Sequence, residues 1–261
     1  HDKQTRPMDW LKEFKTPRPI QVEIGFGQGE YVLSCARQDP GKNYIGIELD
    51  WARIRTCFKK AALLPDDARR IVEDQVRLLH IDAWVILERM FRQKTIAQVV
   101  SLFPCPWPKE RHERHRLFSQ KFLRLVNSRL EDSGSLRCVT DHRRYADWIL
   151  EQAADTGFRV SESAVPAQFG TKFERKWISG GQKVFYEIRF QKERHITIPL
   201  KEDVELKAFY HQEFNPEVFD VQQEINEETA IVPKEWMFDP LREKGEVRLI
   251  VSEEHLTQHL R

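Results

Sequence analysis

The residues best suited to chemistry lie in one stretch, FPCPWPKERHERHR at 103–116. Prolines at alternate positions, Pro104, Pro106 and Pro108, interrupt both helix and sheet and stiffen the chain. A basic tract follows, and its predicted phosphate contacts are Lys109, Arg111, Arg114 and Arg116. Such a loop can hold a flat group beside a polyanion, with Trp107 either stacked on a base or capping the core.

A second stretch, VEIGFGQGEY at 22–31, has the glycine spacing of a nucleotide-binding turn. Its three glycines, Gly25, Gly27 and Gly29, let a ligand approach the backbone at the start of a helix. A nicotinamide-dinucleotide fingerprint requires Gly or Ala where this chain has Glu30, so a nicotinamide oxidoreductase is disfavoured.

Acidic residues occur at the ends of three successive predicted strands. They are Glu23, just before the glycine turn, then Glu48 and Asp82. Each alone could equally be a helix N-cap. Because the carboxyl ends of parallel strands form the ligand-binding edge of such sheets, the three together favour a nucleotide-like cofactor. Glu48 has the spacing expected of a residue that binds ribose hydroxyls.

Strand and helix patterns alternate over residues 20–190. Strands are predicted at 20–24, 43–48, 76–81, 98–103, 135–140 and 183–190, and helices at 30–38, 51–64, 83–91, 117–130 and 145–156. This alternation predicts an α/β fold with a doubly wound, mostly parallel sheet. We expect Trp148, Phe158 and Phe169 in its core.

The chain is predicted to divide into a body at 1–192, which includes a leader at 1–19, and an acidic C-terminal extension at 193–261. The extension reads as a small β-rich appendage with strands at 196–200, 204–209 and 246–251. It contains 8 Lys and Arg against 16 Asp and Glu, whereas residues 1–192 have a net charge of +9. This asymmetry keeps nucleic acid open as a partner although the whole chain carries only +1.

Other function classes receive little support. No apolar run is long enough to span a membrane. The four cysteines, Cys35, Cys57, Cys105 and Cys138, form no C-x-x-C pair, which favours reduced thiols in a cytoplasmic protein. His112 and His115 do not form an H-E-x-x-H motif and no third ligand is near, so we expect no metal. The pattern leaves the choice between monomer and homodimer open.

Four ordered motifs resemble those of the bacterial tRNA (guanine-N7-)-methyltransferases, which are class I S-adenosylmethionine-dependent enzymes with a Rossmann-like fold. They are the acid before G-x-G-x-G, FPCPWPKERH beside the family's FPDPWxKxRH, VTDH at 139–142, and GTKFERK at 170–176 beside TKFE. The resemblance covers roughly residues 20–190. It implies methyl transfer from S-adenosylmethionine to N7 of a guanine in the tRNA variable loop.

The resemblance also implies residue roles. The cofactor-binding residues would be Glu23, Gly25, Gly27, Gly29, Glu48 and Asp82. The substrate-binding residues would be Lys109, Arg111, Arg114, Arg116, Asp141, Thr171, Lys172, Phe173 and Glu174, with Arg175 as a further basic residue. Cys105 and Asp141 would occupy the catalytic positions.

Cys105 departs from the family, which has an aspartate at that position as its catalytic or guanine-anchoring acid. A neutral thiol cannot accept two charge-assisted hydrogen bonds, and losing such a clamp costs roughly 10²–10³ in rate. Either Asp141 or Glu174 holds the guanine instead, or the protein binds tRNA with weak or lost methyl transfer, or the cysteine is a variation of this chain. A methyltransferase acting on a small molecule or a protein is a further alternative.

Overall fold

The fold is described from a computed structural model, which covers residues 7–10, 12–181, 184–200, 224–225, 229–239, 244–253 and 256–260. The chain forms two compact units, His1–Asp203 and Val204–Arg261. The division therefore lies after Asp203, whereas the sequence predicts it after Lys192.

The first unit is built on one seven-stranded sheet. Its strands are β1 (Ile20–Ile24), β2 (Asn43–Glu48), β3 (Val76–His80), β4 (Ile96–Leu102), β5 (Leu130–Thr140), β6 (Phe158–Val165) and β7 (Phe185–Lys192). They lie in the order β3-β2-β1-β4-β5-β7-β6. The first five strands are parallel, and β7 runs antiparallel to β5 and β6. This arrangement confirms the predicted doubly wound, mostly parallel sheet.

Helices connect the strands. They are α1 (Glu30–Gln38), α2 (Trp51–Ala62), α3 (Asp66–Gln75), α4 (Ala83–Arg89), α5 (Gln120–Arg129), α6 (Arg143–Gln152) and α7 (Lys172–Ser179), with a 3-10 helix at Glu110–His115. Side-chain N-caps start several of them, because Asp50, Ser119 and Thr171 each accept a backbone N–H of the first turn. The sequence patterns do not predict α3, β6 or α7.

The sheet buries both of its faces. Helices α4, α5 and α6 pack with β1, β4, β5 and β7 on one face, and α1, α2 and α3 pack together on the other. Part of the predicted leader belongs to this core. Met8, Trp10 and Phe14 are buried, and the Trp10 ring stacks on Phe91 with centroids 4.7 Å apart.

The segment after β7 packs on the first unit without forming a strand. Asn127, Ser128 and Arg129, at the end of α5, hydrogen-bond the backbone of residues 194–199. The strand predicted at 196–200 is therefore wrong, because side chains of α5 satisfy this backbone. The strand predicted at 204–209 lies outside the described residues.

The second unit contains a four-stranded antiparallel sheet. Its strands are β8 (Glu224–Ile225), β9 (Thr229–Asp239), β10 (Lys244–Glu253) and β11 (Leu256–Leu260), in the order β11-β10-β9-β8. The strand predicted at 246–251 lies within β10. The sheet agrees with the predicted small β-rich appendage.

Candidate functional site

The glycine turn between β1 and α1 forms an open cradle. Gly25, Gly27 and Gly29 have φ values of 77°, 58° and 83°, in the left-handed region that favours glycine. A Cβ at Gly25 or Gly27 would meet no atom within 4 Å, so a ligand has room there. A Cβ at Gly29 would lie 2.1 Å from Cys57 Sγ, so this glycine serves the packing of α1 on α2 instead.

Glu23 lies at the end of β1, behind this turn. Its side chain is 3% exposed, and Oε2 is buried without a hydrogen-bond partner. Burial, reinforced by Glu30 and Glu48, raises the pKa of Glu23 to about 8. A buried carboxyl group in this state lacks a cationic donor, which a ligand's amino group could provide.

Glu48, at the end of β2, is fixed by backbone amides. Its Oε2 accepts from Gly27 N at 2.9 Å, and its Oε1 accepts from Leu49 N at 2.9 Å and Asp50 N at 3.0 Å. A carboxylate has about four acceptor sites, so capacity for one ligand hydroxyl remains. Glu48 thus ties the glycine turn to the next strand.

Asp82, after β3, is the N-cap of α4. Its Oδ1 accepts from Trp84 N at 2.8 Å and Val85 N at 3.2 Å. The capping function predicted as an alternative therefore applies to this residue. The structure places it on the same edge as Glu23 and Glu48, because β1, β2 and β3 are parallel neighbours.

The proline loop follows β4 on this edge. Phe103 N donates to Val139 O at 2.7 Å, and its ring packs edge-on against Phe185 and Phe169 at centroid distances of 5.2 and 6.4 Å. Phe103 and Trp107 have φ values of 55° and 43°, which are uncommon for residues with a side chain. Cys105, between them, is an exposed free thiol. Strained backbone held on both sides of one residue is typical of functional loops.

Arg116, predicted as a phosphate contact, is engaged by groups of the protein itself. It is 8% exposed, and its Nε and Nη2 donate to the carbonyls of Pro106 and Trp107 at 3.0 and 3.3 Å. Its Nη1 pairs with Glu113 at 2.7 Å, and its guanidinium lies 5.1 Å from the centre of the Trp148 ring. All three nitrogens are used within the protein, so Arg116 fixes the loop. This arrangement could not be recognised from the basic tract alone.

The other cations of the tract face solvent. Lys109, Arg111 and Arg114 are exposed. The Trp107 ring packs against His112 and His115, with centroids 5.7 and 5.2 Å away. The two histidines therefore pack against the Trp107 ring.

Asp141 follows β5, whose Val139 pairs with Leu102 at the end of β4. The strand register therefore brings Asp141 and the proline loop to adjacent positions on the edge. Burial raises the pKa of Asp141, and His142 and Lys176 partly oppose this shift. Asp141 is thus a partly buried acid on the edge that carries Cys105.

Glu174, predicted as a substrate contact, is likewise engaged by the protein's own backbone. It is 2% exposed, and its two oxygens accept from the backbone amides of Gln168, Phe169 and Gly170 at 2.5–3.0 Å. Thr171 Oγ1 in turn accepts from Glu174 N at 3.1 Å. Thr171 and Glu174 together cap the start of α7. Because both carboxylate oxygens of Glu174 accept backbone hydrogen bonds, they are not available to bind a nucleobase.

Other residues of α7 are exposed to solvent. Lys172, Arg175 and Lys176 are exposed, and Phe173 lies 5.7 Å below the Arg53 guanidinium. Sequence reasoning missed a charged cluster here: Glu30 Oε1 pairs with Lys60 Nζ at 2.7 Å and lies 3.5 Å from Arg175 Nη2. The cluster joins α1, α2 and α7 beside the cradle. Its Glu30 and Lys60 line a cavity of about 330 Å³ together with Phe169 and Gly170.

No helix in the part of the chain that the structure describes is long and apolar enough to cross a membrane.

The amino-acid sequence is similar to those of known methyltransferases. Residues 17–187 match the protein family described as "Putative methyltransferase". The tRNA (guanine-N(7)-)-methyltransferase of Chlorobium phaeobacteroides is 41% identical over 180 residues, which are 68% of this chain and 83% of that protein. The protein of the same name from Thermotoga maritima is 36% identical over 182 residues, which are 69% of this chain but only 56% of that protein.

A solved structure has the same fold. The 16S rRNA methyltransferase KamB has a TM-score of 0.52, with 15% identity over 70% of this chain and 91% of that chain. At this identity the similarity concerns the fold alone, and it confirms the predicted methyltransferase architecture. The second unit lies outside the family match.

Proposed function

The chain belongs to the tRNA (guanine-N(7)-)-methyltransferase family, and we propose that it transfers a methyl group from S-adenosylmethionine to N7 of a guanine in the tRNA variable loop. One observation carries the proposal. An open glycine cradle, over a buried carboxyl group with one oxygen lacking a hydrogen bond, shares its sheet edge with a rigid aromatic and basic loop.

The cradle fits the cofactor of this family. Glu23 Oε2 lacks a donor, and the ammonium group of a methionine moiety is one. Gly25 and Gly27 leave space for the ligand to pass along the backbone. Glu48 retains acceptor capacity for a ribose hydroxyl. These residues would hold the cofactor, with Asp82 beside them.

When bound, S-adenosylmethionine supplies a methyl group made electrophilic by a positively charged sulfur. Guanine N7 already carries a lone pair, so the reaction needs no strong base. The chain's residues therefore have to orient the base, exclude water and hold the phosphates. Orientation by pre-positioned groups contributes more here than proton transfer.

Asp141 is the acid that orients the guanine in this proposal. Two acids are candidates for replacing the family aspartate. Both oxygens of Glu174 accept hydrogen bonds from three backbone amides. Asp141 is a partly buried acid on the sheet edge that carries the proline loop. A carboxylate there accepts from the N1–H and amino group of guanine. Cys105 then contributes no charged group to the pocket, and the loop is held by Arg116.

Exposed cations beside the pocket would hold the tRNA backbone. Lys109, Arg111 and Arg114 are suited to this role, with Lys172 of α7 on the same edge. Such contacts position the substrate without reading its sequence, so binding should weaken steeply with salt. The four free thiols fit the reducing cytoplasm, where we place the protein.

Mass-spectrometric mapping of tRNA tests this function. Unmodified tRNA is incubated with the protein and S-adenosylmethionine, digested and sequenced by mass. One added methyl at N7 of a variable-loop guanine is the expected product. Bound tRNA without a methyl group would instead identify a tRNA-binding protein whose transfer was lost with the aspartate at 105. A methyl group on a protein or a small molecule would refute the RNA substrate.

A further inference from the structure

The solvent side of α2 combines aromatic and basic side chains. Trp51 and Phe58 are each 53% exposed, and Arg55 and Lys59 are exposed between and beside them. These four residues, the α2 outer face, lie at helical positions 1, 5, 8 and 9 and therefore share one side of the helix. None of them was singled out by the sequence motifs.

The opposite side of α2 is an ordinary core face. Ile54 and Cys57 are buried against α1 and α3. The helix thus satisfies its hydrophobic packing with small and aliphatic groups, while two large aromatic rings stay about half exposed, Trp51 with its ring 5.5 Å from that of His80. Grouped exposed aromatic surface of this kind marks a site of interaction.

The charged side chains of this face are basic. α2 contains no Asp or Glu, and the flanking acids Asp50 and Asp66 are paired with Arg53 and Arg69. Among the residues that the structure describes, Arg55 and Lys59 have no ion-pair partner. The face therefore attracts an anionic partner.

The location connects this face with the substrate edge. α2 begins three residues after Glu48 at the cofactor cradle, and the cation–π contact of Arg53 with Phe173 joins it to α7. A strand of RNA seated at the proline loop and α7 would pass this helix. Over the seven residues from Trp51 to Phe58 the helix rises about 10 Å.

We propose that the α2 outer face binds unpaired nucleotides of the tRNA, which rests on the function proposed above. Trp51 and Phe58 stack on bases, and Arg55 and Lys59 contact phosphates. Aromatic rings interleaved with cations are how proteins hold single-stranded nucleic acid without reading its sequence. The face extends the substrate site beyond the guanine pocket and secures the splayed loop from which the target base comes.

Phe58 substitutions distinguish stacking from simple apolar contact. Binding of unmodified tRNA is measured by fluorescence anisotropy for Phe58→Ala, Phe58→Leu and Phe58→Trp. Loss of one stacked base should weaken binding about 5- to 20-fold in the Ala and Leu variants, and Trp should remain within about twofold of wild type. A Leu variant that binds like wild type would overturn the stacking role.

The cations are tested by the salt dependence of binding. The Arg55→Gln/Lys59→Gln double variant should lower the slope of log Kd against log salt by about 1.4, the value for two contacts to a single strand. The matched control, Lys121→Gln/Arg124→Gln, removes two exposed cations from α5 on the other face of the sheet and should leave the slope unchanged. Equal slopes in both variants would overturn the proposal.

Other occupants give distinct results. Self-association of the free protein that Phe58→Ala abolishes, with tRNA binding unchanged, would assign the face to a second copy of this chain. Binding to anionic lipid vesicles with that pattern would assign it to a membrane surface. Wild-type protein that methylates tRNA while every α2 variant binds normally refutes this inference alone. Wild-type protein that binds no tRNA refutes both proposals.

Discussion

The two halves of the ligand-binding edge are built in different ways. In the cofactor half, at β1 and β2, strand ends and backbone amides hold the acids Glu23 and Glu48 in place. In the guanine half, after β4, a strained loop is held by one arginine, and its central residue is an exposed thiol. The loop's shape depends on Phe103 and Arg116 rather than on residue 105, so a change at Cys105 alters its charge while leaving its support intact.

Asp141→Asn should have the largest effect, because Asp141 is the acid that orients the guanine in the proposed function. We expect the single-turnover rate of methyl transfer to fall about 10²- to 10³-fold, with unchanged cofactor affinity. The control is Asp147→Asn, which removes an exposed acid of α6 that pairs with Arg143. A loss of less than about threefold at Asp141 would move the anchoring role elsewhere.

Glu23→Gln tests the cofactor half in the same way. Removing one charge-assisted contact to the cofactor's amino group should weaken its binding about 30-fold, or about 2 kcal/mol. The free protein should keep nearly its full stability, because Oε2 has no hydrogen bond to lose and Gln keeps an acceptor oxygen for the backbone N–H of Val32. Isothermal titration calorimetry and thermal unfolding measure the two quantities. Weaker binding that comes entirely from unfolding would contradict this role.

Arg116→Met tests the support of the guanine half. We expect kcat to fall about 10-fold while the salt dependence of tRNA binding stays that of wild type, because Arg116 contacts carbonyls rather than phosphates. Trypsin should cut faster at Lys109 and Arg111, since the loop opens more often. Arg111→Gln is the matched comparison. It should lower the salt slope by about 0.7–0.9 and leave proteolysis within the loop at Lys109 unchanged.

Two alanine substitutions separate packing from ligand binding in the glycine turn. Gly29→Ala should destabilise the fold by about 2 kcal/mol, because its Cβ would clash with Cys57 Sγ. Gly27→Ala meets only open space, so its main effect should fall on cofactor affinity, with a stability cost of about 1 kcal/mol from its positive φ. Urea denaturation and calorimetry of both variants check the difference. If both variants lost the same free energy of unfolding, the positive φ of the turn, and not the contact with Cys57, would account for the loss.

The smallest expected effect is the release of a proton from Glu23 when the cofactor binds. The raised pKa of Glu23, about 8 against an ordinary 4.5, means that the free folded protein holds a proton there at pH 7. Its stability should therefore fall as pH rises from about 4.5 to about 8. A cationic amino group would ionise the carboxyl and release close to one proton on binding. Calorimetry in buffers of different ionisation enthalpy measures this release, and Glu23→Gln should abolish it.

Local sequence patterns were sufficient to locate the cofactor half. A short apolar run ending in an acid and a glycine turn specify a strand, a loop and a helix start within ten residues. The bounds of β1, α1 and β2 are those predicted. Parallel strands then bring Glu23 and Glu48 to one edge without further information.

The guanine half depends on contacts that are distant along the chain. Arg116 looks like a phosphate ligand within a basic tract, but it reaches back ten residues to Pro106 and lies against Trp148 of α6. Glu174 lies in a motif that predicts a substrate contact, but in the structure its carboxylate accepts hydrogen bonds from three backbone amides that precede α7. The elements α3, β6 and α7 were missed because their sequences are mostly polar and exposed, so each contains too few apolar residues to stand out as a buried element.

The most direct test of the account is the single-turnover rate of methyl transfer to unmodified tRNA by the wild-type protein and by Cys105→Asp. If Asp141 orients the guanine and Arg116 holds the loop, the wild-type protein transfers a methyl group to N7, and Cys105→Asp changes the rate less than about 10-fold. A wild-type protein without transfer, whose activity appears only in Cys105→Asp, would contradict the account.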